Sequence, residues 1–396
     1  MASDFSVVGG GIAGLVVARR LAMAGRSVTL LEASDRLGGT VARHTVGGID
    51  LDAGAESFSV RGGTVAALAR EIGLGADIVE PAQGGAWLQP VAGPPVPLPA
   101  GGVLGIPGTP LAGDVIAVVG TGPAIRAQWD AIIPSLWARK SLTLGALVRR
   151  RMGPVMLEKL VAPVVHGVHS MHPDDLPLDR VPGLRAAYGR EGSLAAAVRW
   201  LRDSAPAGSA VAGIRGGMHR LVTELTADLE TYGVDVQLGR RVSTVDGLDG
   251  TVVLATPLHP GGGRKVVLAT LVVEAQELDE APRGTGVLVA QGGAGIRARA
   301  LTHSTAKWEW LRERTNGRHV LRLSYDSEPE NLAEVARTDA SALLGVALPL
   351  PVDVARVEWT RPDAGTEAAV GETVAGSGLA GIVAQATATA DGLLGR

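Results

Sequence analysis

The 396-residue sequence predicts an α/β protein, α+β over its whole length. A domain with a parallel sheet opens the chain and is joined to a mixed sheet and a helical subdomain. Three observations predict this. An apolar run, Phe5–Val8, feeds straight into glycines and then a helix-patterned stretch. Helical spacing dominates from about residue 126 to 204. Strand-like runs return at Val266–Val273, Gly286–Ala290 and His319–Leu323.

The first element is a buried parallel strand, because Phe5–Val8 carries no polar alternation beyond Ser6. Gly9, Gly11 and Gly14 follow it in the pattern Gly-x-Gly-x-x-Gly. The first glycine permits the tight turn. The second lets the backbone approach a pyrophosphate, and the third lets the next helix pack on the strand. That helix runs to about Ala24 with Leu15, Ala18 and Leu21 on one face. The N–H groups of its first turn, around Ile12 and Ala13, point at the phosphates. Gly25 ends the helix, and Ser27–Leu31 is the second strand. Glu32 stands at its tip, followed by Ala33, where an acid binds a ribose hydroxyl and repels a 2′-phosphate. Strand, glycines, helix, strand and acid in this order make a Rossmann-like nucleotide domain and disfavour NADP.

Two further glycine segments argue for FAD over NAD. Arg36-Leu37-Gly38-Gly39-Thr40 places a glycine pair and an arginine just past the acid. Near the C-terminus, Gly371-Glu372 and then Gly376-Ser377-Gly378-Leu379-Ala380-Gly381 lead into an Ala-rich helix to about Leu394. A helix opened by glycines turns its positive end outward, toward the flavin's pyrimidine edge or the ribityl–phosphate chain. One cofactor touched by both chain ends is the habit of large FAD enzymes. The FAD domain is therefore expected to be discontinuous, taking in residues 1–82, 205–257 and 366–396. Its middle piece reads as a glycine turn and helix, Gly213–Tyr232, and two strands over Val234–Val245. Residues 83–204 form the loop-rich and helical subdomain, and 258–365 a substrate domain with part of the sheet.

Composition narrows the function. With 46% hydrophobic residues the chain has material for a large core. Its 37 basic and 40 acidic residues leave −3, which argues against a nucleic-acid partner. It has no cysteine, so disulfides, zinc–thiolate sites, iron–sulfur clusters and a cysteine nucleophile are excluded. That fits a reducing, cytoplasmic setting, as does an N-terminus with no signal-peptide pattern. The uncharged stretch Pro81–Gly113 is broken throughout by Pro and Gly, so it predicts turns and short strands and no transmembrane segment. His166, His169 and His172 are spaced by three, but no His-Glu-x-x-His or matching acid accompanies them, and no metal is expected.

Val7-Val8-Gly9-Gly10-Gly11-Ile12-Ala13-Gly14-Leu15, with Leu31-Glu32-Ala33-Ser34-Asp35-Arg36-Leu37-Gly38-Gly39, resembles the amine-oxidase-like FAD superfamily. Asp52-Ala53-Gly54-Ala55-Glu56-Ser57-Phe58 is similar to the segment beside the flavin ring in its protoporphyrinogen/coproporphyrinogen III oxidase branch. Within that branch the chain looks most like the actinobacterial coproporphyrinogen III oxidases. Leu147–Gly153, Leu160–Pro163, Gly216-Gly217-Met218 and the strand ending in Lys307-Trp308 carry the same likeness. The chain departs from that pattern in being shorter, with Gly261-Gly262-Gly263 where a helix is usual.

The resemblance implies FAD held by Gly9, Gly11–Gly14, Glu32, Ala33, Arg36, Gly38–Thr40, Gly54–Ser57, Val242, Gly371, Glu372 and Gly378–Ala380. It implies oxidation of a porphyrinogen at saturated ring-bridging carbons, hydride passing to the flavin and oxygen yielding hydrogen peroxide. It further implies a tetrapyrrole substrate, hand-off to a ferrochelatase, and no side-chain base, since the flavin carries the chemistry. The substrate is acidic, so cations are expected at the pocket: Arg61 first, and then Lys307, Arg139, Lys140 and Arg185, with Phe58 as an uncharged substrate contact. Arg149, Arg150 and Arg151 read mainly as a solvated face, since successive helix residues turn by about 100°. Trp308 and Trp310 alternate in strand fashion and read as core. The competing readings are an amine oxidase or desaturase of the same superfamily, and a catalytically silent FAD-binding protein.

Overall fold

The computed structural model describes residues 3–138, 140–204, 210–259, 262–292, 295–363, 367–376 and 378–395. Arg139, Gly261 and Ser377 of the segments above lie outside the described residues. The chain divides into two units: Met1–Pro81, Gly208–Lys265 and Val357–Arg396 form the first, Ala82–Ala207 and Val266–Arg356 the second.

The first unit is built on a four-stranded parallel sheet. Its order is Asp235–Gln237, Val28–Leu31, Phe5–Val8, Thr251–Leu254. The central strand is buried along its length, as expected for parallel strands with helices on both faces. The helix Ile12–Met23 packs against the C-terminal helix Leu379–Leu393 and against Arg220–Thr231. Leu15, Ala18 and Leu21 are fully buried in this core. A three-stranded antiparallel sheet, Phe58–Ser59, Val211–Ile214 and Ile78–Val79, and the hairpin Arg43–Val46/Ile49–Asp52 complete the unit.

Two strands expected over Val234–Val245 reduce to one, Asp235–Gln237. Beyond it the chain turns through Gly239, Gly247 and Gly250, all with positive φ, and stays largely exposed. There Gly239 N and Arg240 N donate to the carbonyls of Ser34 and Glu32, both at 2.8 Å.

The second unit carries a mixed seven-stranded sheet. Its order is Asp353–Pro362, Gly263–Val273, His319–Tyr325, Ala300–His303, Gly286–Val289, Trp87–Gln89, Val96–Pro97. One face packs Val267, Ala269, Leu271, Leu321, Leu323 and Tyr325 against the helix Leu332–Leu344. A separate helical core gathers Leu144, Leu147, Val148, Met152, Met156 and Leu160. Its helices include Leu144–Met152, Pro154–Met156, the π-helical Leu157–Val161, Ala162–His169, Leu184–Glu191 and Leu194–Asp203. Leu142 is 77% exposed and precedes the first of these, because the Thr143 side chain accepts from Ala146 N and caps the helix there.

Three further expectations are corrected here. The strand leading to Lys307-Trp308 stops at His303, and Ser304–Lys307 is a helical turn closed by Trp308 N donating to Ser304 O. Trp308 and Trp310 are core, as expected, but Trp310 lies in the helix Glu309–Arg314. Arg151 is not solvated: its side chain is 0% exposed. It faces inward because Asp130 and four main-chain carbonyls, those of Asp130, Ile133, Pro134 and Gly192, accept its N–H groups.

Candidate cofactor site

The turn after Phe5–Val8 is made of contacts only glycine allows. Gly9 holds φ +106°, and a Cβ on Gly14 would stand 1.9 Å from the Gly9 carbonyl oxygen. The helix therefore sits directly on the turn. Gly11 is different. Its backbone is extended, with φ −72°, and nothing lies within 4 Å of a Cβ placed there. This open space is at the N-terminus of a 12-residue helix with no capping side chain and no acid in its first turn. The orphan N–H groups and the positive end of the dipole are thus left for an anion.

Glu32 is fixed beside this turn. Gly10 N donates to its Oε2 at 2.6 Å, and Ser34 N and Oγ donate to Oε1 at 2.7 and 2.8 Å. Ala33 is exposed next to it. The Gly38–Thr40 loop folds back onto the same turn: Gly38 N donates to Gly10 O at 2.8 Å, and a Cβ on Gly39 would lie 3.4 Å from Gly11 Cα. Arg36 stays exposed and its Nη1 donates to Gly39 O at 3.0 Å. A Cβ on Gly54 would stand 1.9 Å from Thr40 O, so the Gly54–Ser57 segment starts against that loop. Gly371, with φ +110°, comes within reach of the first helix, since its Cβ would meet Ala255 O at 3.0 Å and Ala13 Cβ at 3.8 Å. Glu372 follows, 3.8 Å from Arg361, and Gly378 opens the helix Leu379–Leu393, where Ala380 O accepts from Thr64 Oγ1.

Glycine segments from residues 9–14, 38–39, 54 and 371 therefore meet in one unit. Val242 is half-buried on the turn-rich 238–250 stretch. The residues fit FAD on structural grounds: an anion-facing helix end with open space at Gly11, a carboxylate held beside it, and an exposed arginine one loop away. Sequence reasoning missed Val222 and Thr256, whose methyl groups wall Gly38 and Gly9. Their identity carries no motif, so only the fold reveals them.

The flavin containing amine oxidoreductase family matches residues 12–283, well over half of the chain. This chain belongs to that family. It is similar to the coproporphyrinogen III oxidase of Mycobacterium leprae, 30% identical over 90% of this chain and 86% of the relative. A 71-residue stretch, 18% of this chain and 15% of the relative, is 46% identical to the putrescine oxidase of Kocuria rosea. Among solved structures, one from Exiguobacterium sp. 255-15, provisionally assigned as a protoporphyrinogen oxidase, superposes with TM-score 0.81 at 22% identity and covers 100% of both chains. That likeness shows the fold. The protein is an FAD-dependent oxidoreductase.

The expected substrate residues are placed as follows. Phe58 is 2% exposed and packs in the core of the first unit. Arg61 is half-buried in the same unit, and no carboxylate pairs with it among the described residues. Lys307 lies over the Trp308 ring, 5.1 Å from its centroid. Lys140 is exposed, and Arg185 pairs with Asp179. His166 is buried and bonds Asp326 at 2.9 Å. Hydrogen bonding from His166 holds that carboxyl below its usual range despite desolvation. Among the described residues no group of three His, Cys, Asp or Glu side chains is arranged to hold a metal ion, and no helix is long and apolar enough to cross a membrane.

Proposed function

We propose that this enzyme oxidises a porphyrinogen to the corresponding porphyrin, with coproporphyrinogen III as substrate ahead of protoporphyrinogen IX. The observation that carries the reading is the 30% identity to a coproporphyrinogen III oxidase across nine-tenths of the chain. Bound FAD supplies hydride acceptance from the saturated bridging carbons, with dioxygen as the final acceptor and hydrogen peroxide as product. The protein's own part is binding and orientation. Gly11, Ile12, Ala13, Glu32 and Arg36 hold the ADP half, and Gly371, Glu372 and Gly378–Ala380 the other end. Arg61 offers a guanidinium to a propionate, a pairing in which a planar fork is worth more than a point charge. A chain with no cysteine fits the reducing cytoplasm, where a ferrochelatase would take the product.

Anaerobic mixing of holoprotein with coproporphyrinogen III should bleach the visible band of oxidised flavin, and admitting air should restore it with porphyrin fluorescence and peroxide. Unchanged absorbance would sink the reading. The identity to a putrescine oxidase favours amine oxidation as the second reading. Bleaching by putrescine and not by porphyrinogen would decide for it.

A further inference from the structure

Asp52 ends the strand Ile49–Asp52 and is 9% exposed. A buried carboxylate needs donors, and three are supplied by one place in the fold. Met218 N donates to Oδ2 at 2.8 Å, His219 N donates to Oδ1 at 2.9 Å, and the His219 ring Nδ1 lies 2.9 Å from Oδ1. These residues lead into the helix Arg220–Thr231, which has no side-chain cap of its own from His219. Asp52 therefore supplies, from 166 residues away in sequence, the acceptor that the helix start lacks. Gly217 makes this fit. It holds φ +111°, and a Cβ there would come within 2.6 Å of two atoms of the His219 ring and 3.0 Å of Asp52 Oδ1.

The same helix start touches the cofactor segments on both sides. Its Val222 walls Gly38, where a Cβ would lie 2.8 Å from Cγ2. Gly38 is tied to Gly10 O and neighbours Gly11, the open end of the first helix. On the other side Asp52 runs directly into Ala53 and Gly54, held by Ala53 N donating to Ala42 O at 2.8 Å and by the close approach of Gly54 to Thr40 O. A continuous set of contacts thus runs Gly11, Gly38, Val222, His219, Asp52, Gly54.

We propose that Asp52 is a positioning residue for FAD. Its carboxylate locks the first turn of Arg220–Thr231 so that the Gly38–Gly39 loop and the Gly54–Ser57 segment form one preformed bed. The proposal rests on the assignment of those segments to the flavin, and not on which substrate is oxidised. Preorganisation of this kind is read in affinity, because a loose bed must be ordered when the ligand binds.

The test uses apoprotein of the wild type, Asp52→Asn, Val222→Ala and the double variant, titrated with FAD and melted with and without it. Asp52→Asn keeps the side-chain volume but turns an amide N–H toward main-chain donors. We expect its FAD dissociation constant to rise about tenfold or more, the size of losing a charge-assisted hydrogen bond. The FAD-dependent rise in Tm should shrink with it. Val222→Ala should weaken FAD in the same direction, and the double variant should fall short of the product of the two single effects.

A merely structural Asp52 would lower the Tm of apo- and FAD-loaded protein equally and leave the dissociation constant unchanged. That result, or multiplicative effects of the two substitutions, would overturn the proposal. Should Asp52→Asn not fold, Val222→Ala with unchanged FAD affinity overturns it alone. A wild-type apoprotein that shows no FAD-dependent rise in Tm would instead remove the cofactor assignment, a distinct failure.

Discussion

Arg151 Nε lies 2.5 Å from Asp130 Oδ1 with both side chains shut off from solvent, one at 0% and the other at 1% exposure. The second carboxylate oxygen accepts from Ser193 Oγ and Ala195 N, both at 2.7 Å, and so caps the helix Leu194–Asp203. Tyr188 lies beneath the guanidinium, 5.3 Å from it. One pair thus joins the helix Leu144–Met152, the turn Trp129–Ala131 and the start of Leu194–Asp203.

Removing one partner leaves the other charge buried and unpaired. Asp130→Ala should destabilise the protein by about 3–5 kcal/mol, the cost of breaking a buried pair. Urea unfolding followed by tryptophan fluorescence measures it. A loss under about 1 kcal/mol, typical of a surface pair, would contradict the burial argument.

The two inner glycines of the N-terminal turn should behave oppositely. Gly14→Ala forces a Cβ to within 1.9 Å of a carbonyl oxygen, so the turn and the helix cannot both keep their places. It should lower the Tm of the apoprotein itself. Gly11→Ala meets nothing within 4 Å and needs no unusual φ, so the apoprotein Tm should be unchanged. The added methyl stands in the space an approaching pyrophosphate would use, and FAD affinity should fall about tenfold or more. Equal FAD affinity of Gly11→Ala and wild type in a fluorescence titration would remove Gly11 from the site.

Acid should weaken the second unit before it protonates the ion-paired carboxylates Asp174 and Asp326. His303 and His319 are buried, with Nε2 of the first 3.1 Å from Nδ1 of the second, and His319 Nε2 is 3.2 Å from Asp279. Burial, with the neighbouring His319 and Arg312, pushes the His303 pKa from 6.5 down to about 3. Burial also lowers that of His319, against the pull of Asp279. The native state therefore rejects a proton that the unfolded chain accepts below pH 6.5. The stabilisation is complete above that pH and is lost as pH falls toward 3, about 2 kcal/mol of it by pH 5 for His303 alone. Asp174 and Asp326, whose pKa values are lowered from 3.8, lose their contribution only below that value. Urea midpoints between about pH 7 and 5 should thus fall for the wild type and fall less for His303→Gln. Parallel curves would refute the assignment.

Arg61→Ala tests the substrate side. Loss of a guanidinium–carboxylate pair should raise KM for coproporphyrinogen III by about tenfold, with a smaller change in kcat and intact FAD binding. Arg61→Lys should restore only part of it, since an ammonium cannot make the paired hydrogen bonds. An unchanged KM in Arg61→Ala would leave the propionates to other cations.

Local sequence was enough for the N-terminal strand–turn–helix–strand. Strand, turn, helix and second strand arise from contacts among residues 5–32, and each step has its own signature in residue type: apolar run, glycines at fixed offsets, apolar periodicity, a terminal acid. The glycine-opened C-terminal helix was legible for the same reason. Leu238–Val245 misled because a strand-like pattern does not make a strand without a neighbour to pair with. Thr302–Trp308 misled because a strand and a single helical turn share the same apolar and polar residues over so few positions.

The sequence by itself determined the Rossmann-like parallel-sheet domain, the glycines of its first turn and the acid held beside them, because those depend on short-range geometry. Only the tertiary structure decided that Arg151 turns inward to Asp130, that Phe58 belongs to the core, and that Asp52 anchors Met218 and His219. The partner carboxylate lies 21 residues from Arg151, and the main-chain donors lie 166 and 167 residues from Asp52. A side chain's burial is set by what the fold brings against it, and a single charged or aromatic residue carries no local mark of that neighbour.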